Sequence, residues 1–143
     1  NQVLSARVAA ANWNVPLAGD AMQLHGSHSY VIAAAIDADW SGRVAAQDVH
    51  PTGQLHGRGE NPVRVVCREL ETRVLADHAG WCAGLDAAGL KQDRRALRLG
   101  VEDLSWQWGL SGELLLAFSL PAGAYATSVL REMLLNTNGG GGS

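Results

Sequence analysis

The sequence predicts an α+β fold, and two observations support this class. After Asn61-Pro62, apolar residues recur at three- and four-residue steps, which is typical of an amphipathic helix. Further along, Leu104, Trp106 and Trp108 alternate with polar residues, which is typical of a half-buried strand. A second apolar strand follows after a glycine turn, so the two strands are expected to form an antiparallel hairpin.

Length and composition limit the class of protein. The 143 residues match one ordinary domain, and the hydrophobic fraction of 47% is globular. The sequence has no apolar run near the roughly 20 residues of a membrane helix and no signal-peptide pattern at residues 1–7, so we expect a cytoplasmic protein that contacts no membrane. The net charge of −3, taken alone, argues against RNA binding, because phosphate neutralisation favours basic proteins.

The first third of the chain predicts a helix followed by short strands. Residues 1–13 have helical spacing but no capping residue before them, so we expect this helix to begin in a preceding segment. Strands are predicted at 21–24 and 29–33, joined by a hairpin turn at 25–28. Residues 34–48 predict a short helix, with a strand through 44–49 and a glycine-rich loop from 51 to 60.

The middle of the chain predicts one long helix. Asn61 suits the N-cap and Pro62 the first helical position, while Gly89 marks the end. The predicted apolar stripe consists of Val63, Val66, Leu70, Val74, His78, Trp81 and Leu85. Cys67 and Cys82 would lie roughly 22 Å apart on this helix, too far for a disulfide, so we expect two free, buried thiols.

The last third predicts a hairpin and a terminal helix. Strands are expected at 104–108 and 113–120, and a helix at 124–136 after the turn at Pro121-Ala122-Gly123. The final residues, 139–143, are glycine and serine, which is typical of a flexible linker, and we expect no functional role for them.

Several short features allow two interpretations. His25 and His28 suit a polar turn better than a metal site, because no Cys/His cluster is near them in sequence. Gly57-Arg58-Gly59 precedes the predicted helix start, where backbone amides could hold an RNA phosphate, although a nucleotide-binding motif is absent. The cluster of Arg94, Arg95 and Arg98 fits either solvated surface or phosphate contact.

Two features near the end of the chain also allow two interpretations each. Trp106 and Trp108 share one strand face, which fits a hydrophobic core more often than base stacking. In the segment from Leu120 to Met133, a strand ends, a glycine turn follows, and a helix begins with an aromatic residue, hydroxyl groups and an Arg-Glu pair. From the residues alone, this segment fits either a packed terminal helix or the lining of a site.

The same segment resembles the C-terminal signature of the TruD family of tRNA pseudouridine synthases. That signature reads Leu-Pro-Ala-Gly-(Ser/Ala)-aromatic-Ala-Thr-Ser-Val-(Val/Leu)-Arg-Glu. Further similarity lies in 104–108, in Gly19 to Leu24 and in the opening Asn1-Gln2-Val3, all in family order. The resemblance covers most of residues 1–137.

The resemblance implies a domain organisation and a reaction. Residues 1–98 would be most of an α/β TRUD insertion domain, truncated at its N-terminus. Residues 99–137 would be part of the pseudouridine-synthase catalytic sheet, a hairpin plus helix, and 138–143 a linker-like tail. The family isomerises uridine to pseudouridine at position 13 of tRNA, using an aspartate nucleophile and neither metal nor organic cofactor.

The resemblance also implies which residues contact the substrate. The site-lining segment would contribute Gly123, Tyr125, Thr127, Arg131 and Glu132 to nucleotide binding. The nucleophilic aspartate and its motif belong to the family's N-terminal half, and no aspartate of this chain matches that motif. We therefore expect the chain alone to be inactive, with tRNA and either a complementary N-terminal fragment or a second copy as partners. The alternative is a non-catalytic RNA-binding or engineered interaction module derived from the insertion domain.

Overall fold

The computed structural model describes residues 2–135 and divides them at Arg98–Leu99 into two compact units. The first unit contains α1 (Gln2–Ala9), β1 (Asp20–Leu24), β2 (Tyr30–Ala33), α2 (Ala38–Ala45), β3 (Val49–Leu55), α3 (Val65–Ala76), α4 (Ala79–Ala87) and β4 (Asp93–Ala96). The second contains β5 (Glu102–Trp108), β6 (Leu114–Ser119) and α5 (Ala126–Leu135). The predicted α+β class is confirmed.

An antiparallel sheet with the strand order β2-β1-β3-β4 organises the first unit. The predicted hairpin around residues 25–28 is confirmed, with Gln23 opposite Tyr30. Adjacent residues of β1 enter different hydrophobic clusters, since side chains alternate across a strand. Met22 packs with Ala33, Val44 and Val49, whereas Ala21 belongs to a cluster with Val63 and Cys67.

A buried ion pair links α1 to the start of β1. Arg7 Nη1 donates to Asp20 Oδ2 at 3.0 Å, and both side chains are fully buried. Arg7 Nη2 donates to the carbonyls of Asn12 at 2.9 Å and Val15 at 2.6 Å, so the turn after α1 wraps around the guanidinium. The predicted helix over 1–13 therefore ends early, at Ala9.

The predictions for residues 44–60 were partly wrong. The expected strand through 44–49 is instead the end of α2 followed by a turn, and half of the expected loop from 51 to 60 is β3. Gly53 lies inside β3. A Cβ at this position would come within 2.8 Å of Leu97 Cδ2 and 3.3 Å of Val3 Cγ1, so the close packing here favours glycine. The sequence predicted a loop because glycine is typical of turns, whereas here the glycine allows close packing inside a strand.

The predicted single helix from Asn61 is two helices. The first helix, α3, begins at Val65 with Arg64 at the N-cap. Asp77 and His78 separate it from α4. Cys67 and Cys82 are free, as predicted, but only Cys67 is buried. Burial raises the pKa of the Cys67 thiol, which keeps it neutral.

The apolar stripe predicted for this helix is confirmed only in part, since Val63 is buried and four of its other residues are half-buried. Val66 is exposed and Trp81 is 78% exposed, while α3 instead buries Cys67 and Glu71. The predicted end at Gly89 is confirmed, because α4 stops at Ala87 and Gly89 has a φ of +76°.

The second unit matches its predicted elements. Strands β5 and β6 pair antiparallel, with Trp106 opposite Leu116 and Trp108 opposite Leu114. Helix α5 begins at Ala126, two residues later than predicted, and its expected end at Asn136 and the tail 138–143 lie outside the described residues. Among residues 2–135, no helix has the length and hydrophobicity needed to cross a bilayer.

Candidate functional site

The segment between β6 and α5 forms a tight turn that leads into the helix. The Ala124 amide donates to the Pro121 carbonyl at 3.1 Å, and Gly123 adopts a φ of +85°, which favours glycine. The Ser128 amide then donates to the Tyr125 carbonyl at 3.0 Å. Tyr125 therefore precedes the helix, whereas the sequence prediction placed it on the first turn.

All five predicted site residues lie at the surface of this segment. Gly123, Tyr125, Thr127, Arg131 and Glu132 are exposed, with Tyr125 at 69%. Thr127 and Arg131 are four residues apart in α5 and therefore share a face of the helix.

Val129 of this helix is buried, and it is two positions from Thr127 and Arg131 and so lies on another face. Within the described residues, the side chains of Tyr125, Thr127 and Arg131 make no hydrogen bond or ion pair. This surface thus offers a phenol, a hydroxyl and a guanidinium to a ligand, groups able to bind the polar edges of a nucleotide.

The tryptophans of β5 are exposed, so the core interpretation was wrong for this chain. Trp106 is 65% and Trp108 66% exposed. Trp106 lies opposite Leu116 and Trp108 opposite Leu114 in a sheet of two strands. Base stacking by this pair stays a prediction.

The first unit contains a buried polar network that the sequence analysis missed. Arg94 and Glu71 form a bidentate ion pair, with Nη2–Oε1 at 2.6 Å and Nη1–Oε2 at 3.2 Å. Asn61 Nδ2 donates to Glu71 Oε2 at 2.8 Å, and Arg94 Nε donates to Thr52 Oγ1 at 2.7 Å. The charges are hydrogen-bonded on several sides, as buried ions require.

Two arginines of the predicted basic cluster are therefore structural. Arg94 is part of the buried network, and Arg98 Nη2 donates to the carbonyls of Val44 at 2.6 Å and Val49 at 2.8 Å. Of the three, Arg95 alone is exposed. One signal could have revealed the network: Glu71 continues the four-residue spacing of Val63 and Cys67, which places its carboxylate on the buried stripe.

His25 of the β1–β2 turn forms a pair with His50 of β3. His25 Nδ1 and His50 Nε2 are 2.9 Å apart, and Arg98 Nε donates to His50 Nδ1 at 2.8 Å. Because the guanidinium can only donate, neutral His50 carries its proton on Nε2 and donates to His25. Burial, with the Arg98 charge and His25 adding to it, lowers the pKa of His50. Across residues 2–135, no three His, Cys, Asp or Glu side chains group as a metal site would need.

The loop containing Gly57-Arg58-Gly59 does not lead into a helix, contrary to the prediction. The Arg58 amide donates to the Leu90 carbonyl at 2.7 Å, and the Gln92 amide donates to the Arg58 carbonyl at 2.9 Å. The loop thus pairs with the segment before β4. Beside it lies a cavity of about 220 Å³ whose lining includes Arg58 and Lys91.

Comparison with known proteins gives a consistent family. Residues 1–133 match the family model described as tRNA pseudouridine synthase D (TruD). A protein of that name from Nitrosococcus oceani is 54% identical over 135 residues, covering 94% of this chain and 38% of the relative. One from Hydrogenovibrio crunogenus is 44% identical, with 93% and 38% covered, and one from Aeromonas salmonicida is 45% identical, with 94% and 38% covered. The chain therefore spans less than two-fifths of these relatives.

A solved structure supports the fold. The crystal structure of a Methanosarcina mazei protein described under the name tRNA pseudouridine synthase D matches with a TM-score of 0.65 and 20% sequence identity. The match covers 91% of this chain and 34% of that protein. At this identity the likeness concerns the fold alone.

Proposed function

The chain belongs to the TruD family, and from this premise we propose that it is part of a tRNA pseudouridine synthase acting on uridine 13 of tRNA. The observation that carries the proposal is the family match over residues 1–133, which includes the whole segment from Leu120 to Glu132. In this proposal, residues 1–98 correspond to the insertion domain and residues 99–137 to part of the catalytic domain.

Within that protein, we assign substrate contacts to the exposed segment before and along α5. Gly123 allows the turn, and Tyr125, Thr127 and Arg131 present polar groups that make no other bond in the described chain. Glu132 is also exposed and would join the polar network around the reacting nucleotide. The target base must leave its stack to reach such a site, at a cost of a few kcal/mol recovered by contacts in the pocket.

The proposal places the nucleophile outside this chain. A nucleophilic aspartate must be ionised and reach the target nucleotide in its pocket. Asp20 is fully buried against Arg7, Asp37 caps α2 by accepting from the Trp40 amide, and Asp86 lies 3.3 Å from His56 Nε2. These structural roles argue against Asp20, Asp37 and Asp86 as the nucleophile, in line with the proposal that the chain alone has no activity.

A reconstitution assay tests the proposal. The chain is incubated with a tRNA transcript, alone and together with the part of the Nitrosococcus oceani relative that it does not cover, and pseudouridine is measured by mass spectrometry. We expect no product from the chain alone and product from the mixture. Turnover by the chain alone would refute the location of the nucleophile, and no turnover in a mixture whose two parts co-elute would refute the activity.

The site assignment is tested in the same mixture. Arg131→Ala should lower turnover by about tenfold or more if the guanidinium contacts the nucleotide in the transition state, because a lost charged hydrogen bond costs about 1.5–3 kcal/mol. Arg73→Ala removes another exposed positive charge, from α3, and should have no effect. Equal activity of the two variants would remove Arg131 from the site.

One observation favours a second candidate function, a non-catalytic binding module. Trp106 and Trp108 expose their rings on the same strand face, where they could stack on bases or contact a protein. Binding of tRNA to this chain, measured across salt concentrations, separates the two surfaces. Loss of binding in Trp106→Ala/Trp108→Ala, with Arg131→Ala unaffected, would favour the module. Both functions place the protein in the cytoplasm, where tRNA is.

A further inference from the structure

The cavity beside the Gly57-Arg58-Gly59 loop contains hydrogen-bond donors that have no acceptor. Lys91, the single lysine of the chain, lines it, and its ammonium makes no hydrogen bond or ion pair within the described residues. Arg58 uses Nε to donate to the Asp86 carbonyl at 2.5 Å, and its two terminal nitrogens make no further bond there. Gln92 Oε1 accepts from Gln54 at 2.7 Å, whereas Gln92 Nε2 is buried without a partner.

Two carboxylates, of Glu60 and Asp93, also line the cavity and are exposed. Asp93 Oδ1 accepts from the Arg94 amide at 2.8 Å, and Glu60 Oε1 lies 3.9 Å from Arg64 Nη2. The Arg94 charge is balanced by Glu71, so it adds no free positive charge. An acceptor-rich, negatively charged group would satisfy Gln92 Nε2, whose burial without a partner is costly, and would lie beside the exposed cations Arg58 and Lys91.

The backbone holds these donors in a fixed arrangement. Arg58 and Lys91 form a parallel bridge, and a Cβ on Gly57 would come within 2.6 Å of the Leu90 carbonyl oxygen. Gly59 has a φ of +127°, a conformation that favours glycine. The two cationic side chains thus project from backbone segments that are hydrogen-bonded to each other, which lowers the entropic cost of binding a ligand.

We propose that the Arg58–Lys91–Gln92 cavity binds a phosphate group of an RNA backbone. Phosphate supplies several acceptor oxygens and a negative charge, which matches three donors of which two are cationic. The inference deepens the proposed function, on which it rests, by giving the first unit its own contact with tRNA.

Binding of a labelled tRNA transcript to the intact chain, measured by fluorescence anisotropy at several KCl concentrations, tests the proposal. Lys91→Gln should weaken binding at low salt and reduce the slope of log K against log[KCl] by about 1, as the loss of one phosphate contact does. Arg73→Gln is the matched control, because it removes an exposed charge from α3, away from the cavity lining. Its slope should equal that of the unmodified chain, and an unchanged slope for Lys91→Gln would overturn the proposal.

A second measurement separates this inference from the proposed function. If the unmodified chain binds no tRNA even at low salt, RNA is excluded as the ligand and the role of this chain in tRNA contact fails with it. The amides of Gly59 and Gln92 are then followed by NMR during titration with inorganic phosphate. Saturable shifts that disappear in Lys91→Gln would retain a phosphate site, and no shifts would overturn it.

Discussion

At the scale of single residues, the buried ion pair between Arg94 and Glu71 makes the first unit sensitive to substitution of either partner. Both side chains are almost fully buried, at 3% and 0% exposure, and the guanidinium also donates to Thr52 Oγ1 and Asn61 Oδ1. Desolvation makes such a pair a weak net source of stability while it is intact. Removal of one partner, by contrast, leaves an uncompensated buried charge.

Glu71→Ala should therefore lower the free energy of unfolding by about 3–5 kcal/mol, measured by urea denaturation. Glu69→Ala, two positions earlier on the exposed side of α3, is the control and should stay within about 0.5 kcal/mol of the unmodified chain. Similar destabilisation by both variants would mean that the buried pair is not the cause.

A second residue-scale prediction concerns pH. The folded state lowers the pKa of His50 below its ordinary value of 6.5, so the unfolded state binds more protons in the interval between the two values. Stability must then fall as pH drops from about 7.5 through 6.5 towards the folded pKa. Protonation of His50 on Nδ1 would also break the bond from Arg98.

The urea midpoint of the unmodified chain should thus decrease between about pH 7.5 and 5.5, and His50→Gln should reduce this decrease. His28→Gln is the control because His28 is an exposed histidine of the β1–β2 turn. Asp20, whose pKa is raised by burial, is present in every variant and cancels in the comparison. A pH dependence that is the same in His50→Gln would contradict this assignment.

At the scale of elements, two glycines should respond oppositely to alanine. Gly57 lies against backbone, so its Cβ would press on the Leu90–Lys91 peptide and open the cavity wall. Gly84 lies in α4 with no atom within 4 Å of an added Cβ. Gly57→Ala should destabilise the chain by about 1–3 kcal/mol, whereas Gly84→Ala should stabilise it by about 0.5–1 kcal/mol. Thermal unfolding measures both, and equal shifts of the same sign would contradict the packing described for Gly57.

Most element types follow from the sequence, but several boundaries do not. The alternation around Trp106 fixes β5, and the turn at 25–28 fixes the first hairpin, since both depend on local patterns. The start of α3 depends on tertiary contacts instead. Asn61, expected to cap the helix, donates to Glu71 and Gln54, and the helix begins three residues later than predicted.

The candidate site was predictable only as a segment. The succession of strand, glycine turn and helix identified residues 120–132, and Gly123 does adopt the positive φ that such a turn requires. The cavity beside Arg58 could not be predicted, because its donors come from segments 57–59 and 91–92 that only the sheet brings together. Pairing between distant strands has no local signature in a sequence.

At the scale of the whole molecule, the second unit leaves a large apolar surface uncovered. Leu104, Trp106, Trp108 and Leu114 are each between 46% and 66% exposed, and the last three lie on paired positions of one two-stranded sheet. Contiguous apolar patches of this kind usually mark an interaction surface. The relatives extend well beyond the length that this chain covers, so a complementary segment is one candidate partner and a second copy is another.

In the absence of a complementary segment, we expect the chain to associate with itself through this sheet. Burial of apolar surface drives association at about 25 cal/mol per Å², and β6 adds the risk of pairing along an uncovered edge. Sedimentation velocity at several protein concentrations should show a concentration-dependent dimer, which Trp106→Ser/Trp108→Ser should shift towards monomer. Trp81→Ser, which replaces a still more exposed tryptophan of α4, is the control and should leave the dimer unchanged. A monomer at all concentrations would contradict self-association, and dimer loss in the control alone would place the interaction surface elsewhere on the molecule.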